Sequence, residues 1–352
     1  MSVALRPSET VSVGAEAHRP QRLGLAGVGW IGRHRMQAIA ASGYADVVAI
    51  CDPDQHAREL AAADVPGAAV TAEFEALLDR ELDGIVIASP SALHAAQAMA
   101  ALSKGIAVFC QKPLARTASE VREVIAAARE ANRLLAVDLS YRHTRAMQIV
   151  RDLIQRGELG AVYAVDLVFH NGYGPDKAWF YDVELSGGGC LIDLGTHLID
   201  LALWSLCFPR VELISSALYS RGELLSRGAG VTEDYATCEL RLETGTTVRI
   251  VCSWNCPVGA DAVIGAQFHG THGGALFSNV GGSFHDFRAE RFTGTGSETL
   301  AEPPDDWGGR AAVAWAERLR REPGFDSEVE RVLATAQVLD AAYGRDETAA
   351  HN

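Results

Sequence analysis

Three side chains in this sequence could share proton chemistry. Lys112 follows a buried-looking apolar run, Ile106 to Cys110, and stands between Gln111 and Pro113. Asp193 and His197 lie four apart among apolar neighbours, a spacing that sets both on one face of a helix. An imidazole can take or give a proton near neutral pH. An ammonium can hold a developing negative charge on oxygen. The same His–Asp pair also serves proteins as a buried structural contact. Context separates the two readings, and here the context is a cofactor platform that ends at the lysine. Gly195, between the pair, is expected to leave room above the helix for another molecule.

The platform begins at Leu23–Val28, a short apolar run read as a buried parallel strand. Gly27-Val28-Gly29-Trp30-Ile31-Gly32 follows, then a helix-forming stretch from Arg33 to Ser42, then Val47–Cys51 and Asp52. Gly27 allows the tight turn, Gly29 lets backbone approach a pyrophosphate, and Gly32 lets the helix pack on the strand. The helix start offers free amides and the positive dipole end to phosphates. Asp52 stands twenty residues past Gly32, where a carboxylate can accept from ribose hydroxyls. The segment Gly27–Gly32 with Asp52 is therefore expected to bind a dinucleotide. The Asp52 charge opposes a 2′-phosphate, so NAD is expected rather than NADP. Arg33 and Arg58 are the residues that could reverse that preference.

The alternation continues. Gly84–Ala88 reads as a strand, broken at Ser89-Pro90-Ser91, with Ser91 expected to cap a helix from Ala92 to Ser103. Thr117 is expected to cap a helix to about Asn132, and Leu134–Asp138 reads as the last strand. This predicts a doubly wound parallel sheet, in which ligands bind beyond the carboxyl ends of strands. Gly27–Gly32, Asp52, Ser89–His94 and Gln111–Pro113 all fall at such ends. After Tyr141 the texture changes. A helical period covers Thr144–Arg156, and a strand covers Ala161–His170. Gly187-Gly188-Gly189 then leads into a helix over about Cys190–Cys207. From Val211 to Phe292 short strands alternate with Gly, Thr and Asn turns, which predicts a largely antiparallel sheet. Residues 294–309 read as a loop, and two helices, about 310–321 and 326–343, follow.

The bulk numbers bound the function. The 352 residues are 48% apolar and carry a formal charge of −14. That excess of acid argues against nucleic acid and anionic membrane surfaces as partners. No run approaches a membrane span. Seven cysteines, without a CxxC, read as small buried hydrophobes in a reducing compartment. Cys252 and Cys256 are expected to share a face of one strand. His269, His272 and His285 need not converge, and no metal is expected. Only Lys104, Lys112 and Lys177 are lysines, which draws attention to each. Residues 1–20 read as a disordered leader.

In their order and intervals these motifs resemble the Gfo/Idh/MocA oxidoreductases, the family of glucose-fructose oxidoreductase and myo-inositol dehydrogenase. The likeness rests on Gly27–Gly32, Cys51-Asp52-Pro53, Ala88-Ser89-Pro90 with His94, Gln111-Lys112-Pro113-Leu114, and Ser186–Gly189 leading to Asp193 and His197. It covers about Arg22 to Gly344. The resemblance implies hydride transfer between nicotinamide and a CH–OH or C=O carbon of a sugar or cyclitol. By motif position Lys112, Asp193 and His197 match the family's catalytic triad. His197 would accept the hydroxyl proton, Lys112 would stabilise the reacting oxygen, and Asp193 would position and charge-balance both. Ser89, Pro90, His94 and Gln111 would join Trp30, Ile31 and Lys112 in contacting the cofactor. Where the family usually has Glu, this chain has Gln111, which removes a charge beside Lys112. Tyr141, Arg142 and Trp179 are candidate substrate contacts, each with a simpler reading as packing.

The expected protein is thus α/β. It has a dinucleotide-binding Rossmann domain over 21–142 and an α+β domain over 143–352 for substrate binding and association. The expected activity is an NAD-dependent sugar or cyclitol dehydrogenase, cytoplasmic, assembled as a homodimer or homotetramer. A ketoreductase for a nucleotide-linked sugar is the enzymatic alternative. A non-catalytic NAD-binding sensor is the alternative of another class.

Overall fold

Continuous apolar stretches place the first sheet. In this computed structural model, residues 19–345 are described, except Arg227. All but the last two positions of the expected leader lie outside the described residues. Strands β1 (Gln21–Ala26), β2 (Ala45–Cys51), β3 (Ala69–Thr71), β4 (Gly84–Ile87), β5 (Ala107–Cys110) and β6 (Leu135–Val137) form one sheet in the order β3-β2-β1-β4-β5-β6. Every pairing in it is parallel. β4 and β5 are buried at every position because both faces of the sheet are covered. The three-residue β3, too short to show a period, is the strand that the sequence reading lacks.

Helices α1 (Trp30–Ser42), α2 (Gln55–Asp64), α3 (Phe74–Leu78), α4 (Ser91–Ser103) and α5 (Ala118–Ala131) alternate with these strands. Thr117 caps α5 as expected, its side-chain oxygen accepting from the Glu120 amide. Ser91 does not cap α4. It is the first helical residue, Pro90 takes the cap position, and no side-chain cap bond forms. Proline suits the boundary because its fixed φ starts a helix without an unsatisfied amide.

The second sheet has nine strands: β7 (Val162–Asn171), β8 (Val211–Ser220), β9 (Glu223–Leu224), β10 (Tyr235–Leu242), β11 (Thr247–Ser253), β12 (Ala262–Gly270), β13 (Gly274–Asn279), β14 (Phe287–Thr293) and β15 (Gly296–Ala301). Their order is β15-β14-β13-β12-β7-β11-β10-β8-β9. All pairs are antiparallel except β7 with β11. β15 corrects the loop expected over 294–309. Its residues are mostly exposed, so it shows no buried face to read. Cys256 lies beyond β11, and so does not share that strand's face with Cys252.

One face of this sheet is covered by α6 (Arg145–Gln155), α8 (Thr196–Ser205) and α10 (Val332–Tyr343); along the chain the single turn α7 (Val183–Ser186) lies between α6 and α8, and α9 (Arg310–Arg321) lies between α8 and α10. α8 is buried at every residue but Trp204, and its apolar residues are joined by the buried polar Thr196, His197, Asp200 and Ser205. The chain then returns. α9 packs under the first sheet, with Trp315 against Phe109 at 5.6 Å between centroids. α9, late in the chain, thus adds to the core of the first sheet.

Candidate active site

Where β5 ends, the backbone delivers Gln111, Lys112 and a cis-linked Pro113 into a cleft between the sheets. The cleft has a volume of about 550 Å³. Lys112 Nζ lies 2.6 Å from Asp193 Oδ1 and 2.8 Å from the Asp193 carbonyl oxygen. An ammonium has three protons, so one remains for a third acceptor in the cleft.

Asp193 reaches the lysine from an unusual segment. Leu191–Gly195 is a π-helical turn, continuous with α8. The triple glycine before it permits a backbone approach that side chains would block. Gly187 has φ +85° and Gly188 φ +155°. A Cβ on Gly189 would stand 1.9 Å from the Glu233 carbonyl oxygen. The buried Glu233 carboxylate then accepts from the amides of Gly189 (2.9 Å) and Leu191 (2.8 Å) and from the Tyr343 hydroxyl (2.8 Å). Burial raises the Glu233 pKa above its ordinary value, against the lowering effect of these donors. Sequence reading missed Glu233, whose partners lie more than forty positions away in sequence.

The expected Asp193–His197 pairing is not what forms. The Asp193 carboxylate is taken by Lys112 and, at Oδ2, by the Trp254 indole N–H at 3.1 Å. Asp193 sits within the π turn that leads into α8, so the four-residue spacing does not close the pair as it would in an α-helix. His197 instead sets its ring edge-on to Tyr141, 4.8 Å between centroids, and lines the same cleft. Its pKa is held well below 6.5, first by burial, then by the cations of Lys112 and Arg35. A neutral imidazole beside a lysine can accept a proton, so the arrangement still offers a base and an oxyanion partner. Gly195 does not make room for a ligand either. A Cβ there would meet Leu191 Cδ1 at 2.6 Å, so its role is packing.

Gln111 turns from Lys112 and donates to the Asp138 carboxylate, which also takes Arg35 Nε at 2.6 Å. The charge missing at position 111 is therefore not what balances the lysine, since Asp193 does that. His94 is buried, with Nδ1 2.7 Å from the Pro113 carbonyl oxygen and Nε2 2.8 Å from that of Ser89. The two acceptors favour a doubly protonated ring and burial opposes it, and burial dominates, lowering the pKa. Its edge reaches the cleft, but both nitrogens tie the ends of β4 and β5 together. Arg142 stands apart from the residues that line the cleft. It forms a two-point pair with Asp200 behind the cleft, Nε to Oδ2 at 2.7 Å, and does not line it. Tyr141 and Trp179 do line it. Phe169, Phe180, Phe284 and Trp307, which sequence reading missed, complete an aromatic wall.

The residues fit a dinucleotide. A Cβ on Gly29 would meet nothing within 4 Å, so open space lies against the start of α1, where a pyrophosphate would sit. Gly27 has φ +85° and its Cβ would clash with the Ala88 carbonyl at 2.5 Å, while that of Gly32 would strike the Gly27 oxygen at 2.0 Å. Asp52 accepts from the amides of Val28 (2.8 Å) and Asp54 (2.9 Å), which fixes the carboxylate at the end of β2. Trp30, 69% exposed, and Ile31 border the cleft beside Ser89 and Gln111. Among the described residues no group of three or more His, Cys, Asp or Glu is placed to hold a metal ion.

Fold and site together define a dinucleotide-dependent oxidoreductase. Residues 21–139 match the family described as "Oxidoreductase family, NAD-binding Rossmann fold", and residues 147–276 match the "GFO/IDH/MocA C-terminal domain". The chain is 30% identical over 348 residues to a dTDP-3,4-didehydro-2,6-dideoxy-alpha-D-glucose 3-reductase of Streptomyces violaceoruber, covering 93% of this chain and 95% of that protein. It is 26% identical to a D-glucoside 3-dehydrogenase of Escherichia coli (strain K12), covering 86% and 88%. The crystal structure of GenD2 from gentamicin A biosynthesis, in complex with NAD, shares the fold with a TM-score of 0.77 at 24% identity, covering 97% of each chain. The chain belongs to the Gfo/Idh/MocA family and is an NAD(P)-dependent oxidoreductase.

Proposed function

We infer that the protein transfers hydride between NAD and a CH–OH or C=O carbon of a sugar or cyclitol. The observation that carries the reading is the convergence of Lys112, paired to Asp193, with a neutral His197 on one cleft at the end of β5. When bound, the dinucleotide supplies the nicotinamide that takes or returns hydride. The protein's residues do the rest. Lys112 offers its remaining proton to the substrate oxygen and stabilises negative charge there. His197 takes the hydroxyl proton during oxidation and returns it during reduction. Asp193 holds the ammonium in place. Gly29, Trp30, Ile31 and Gly32 receive the phosphates, Asp52 the adenosine ribose, and Ser89 and Gln111 the nicotinamide end. Tyr141 and Trp179 contact the substrate.

NAD is favoured because the cations that could welcome a 2′-phosphate are engaged. Arg33 pairs with Asp64, and Arg58 donates to the carbonyl oxygens of Asp52 (2.6 Å) and Pro53 (3.0 Å). The seven cysteines are free thiols, which suits a reducing cytoplasm. No helix among the described residues is long and apolar enough to cross a membrane. The uncovered face of the nine-stranded sheet, where Val263 is 36% exposed, supports association as a homodimer or homotetramer.

The test is absorbance at 340 nm with NAD and a panel of glucosides, free sugars, inositols and sugar nucleotides. Growth with one class supports the reading and names the substrate. Tight NAD binding without turnover in either direction contradicts it.

A further inference from the structure

The mechanism above uses one carboxylate oxygen of Asp193 and leaves the other unexplained. Oδ2 accepts from the indole N–H of Trp254. Trp254 is almost wholly buried, just past the end of β11, and its backbone amide donates to the Asp234 carbonyl oxygen at 2.7 Å. Trp254 is therefore anchored at its backbone, while Asp193 rides on a π turn. The ring's other neighbours are Phe180, perpendicular at 6.2 Å, and Tyr181, at 5.6 Å. Both belong to the 3₁₀ turn Ala178–Tyr181, which presents Trp179 and Phe180 to the cleft.

We propose that Trp254 is a positioning residue, which locks Asp193 so that Oδ1 faces Lys112 and joins the aromatic turn over the cleft to that ion pair. The physical basis is rotational. A carboxylate held at one oxygen can swing about χ2, and a second, charge-assisted donor at the other oxygen removes that freedom. The inference rests on the assignment of Lys112 and Asp193 given above.

Two measurements on the full chain test it. The first needs no substrate. In ¹⁵N-tryptophan-labelled protein the six tryptophans give six indole N–H signals. Asp193→Asn should move one of them, the signal that disappears in Trp254→Phe. If that signal is indifferent to Asp193→Asn, the contact is absent and the proposal fails. The second uses NAD and whichever sugar of the panel turns over. Trp254→Phe keeps an aromatic ring and loses only the donor and some area. It should lower kcat roughly tenfold or more while the Kd for NAD stays within twofold. An unchanged kcat overturns the proposal. If Trp254→Phe does not fold, phenylalanine replacements at the other five tryptophans identify the sixth signal, and the first measurement decides. Turnover that survives Lys112→Ala would instead sink the underlying assignment, so the two failures are told apart.

Discussion

At His197, burial and the cations of Lys112 and Arg35 all oppose a second ring proton. A base must be unprotonated to act, so a lowered pKa extends the active form toward acid. The kcat/KM for alcohol oxidation should stay level as pH falls through 6.5 and decline only well below it. An acid limb centred at or above 6.5 would contradict this. His197→Ala should cost roughly 10²–10⁴ in kcat with NAD binding spared. At Asp52, the discriminating group is the carboxylate itself. Asp52→Ser should narrow the ratio of NADP to NAD dissociation constants at least tenfold, measured by fluorescence titration. A ratio that does not move would shift the preference elsewhere in the site. Part of this chemistry was legible in the sequence, since Lys112, Asp193 and His197 do share one cleft. Their pairing was not legible. Trp254 and Glu233 reach Asp193 and its turn from about sixty and forty positions away, and no local pattern announces such contacts.

Elements carry a different kind of prediction. In the turn between β1 and α1, Gly27 and Gly29 are both glycine, but for different reasons. Gly27→Ala puts a methyl against the Ala88 carbonyl at a positive φ, and should lower Tm by several degrees. Gly29→Ala meets only open space. It should leave Tm nearly unchanged and raise the NAD Kd about tenfold or more, because the methyl enters the phosphate position. A thermal melt and a binding titration on both variants check the pair, and the same response from both would contradict the assignment. The sequence showed β1, β4 and β5 readily, since strands buried on both faces read as unbroken apolar runs. It did not show β3, with three residues, or β15, which buries almost nothing. The helix after the triple glycine was legible as a helix. Its π turn was not, because that turn is fixed by Glu233 and Tyr343 rather than by its own residues.

At the scale of the whole molecule, five histidines among the described residues, His34, His94, His143, His170 and His197, have pKa values lowered chiefly by burial. In the unfolded chain each would titrate near its ordinary value, about 6.5. Below that pH the unfolded state therefore binds more protons than the folded one. Stability present above pH 6.5 should be lost as pH falls toward the folded values. Tm measured from pH 7.5 to 5.5 should fall, in salt high enough to screen the net charge of −14. A Tm that rises or stays level would contradict it. The same scale governs the return of α9 beneath the first sheet. A change of texture after Tyr141 was legible in the sequence, but α9 carries no mark of which core it joins.

Single-turnover kinetics with saturating NAD test the role of Lys112 most directly. Lys112→Ala and wild-type protein are mixed with the sugar that the panel identifies, and absorbance at 340 nm is followed with the NAD Kd measured alongside. The expected result is a hydride-transfer rate reduced at least a hundredfold in Lys112→Ala, with the NAD Kd within a few-fold of wild type. A rate close to wild type in a folded, NAD-binding variant would contradict the assignment.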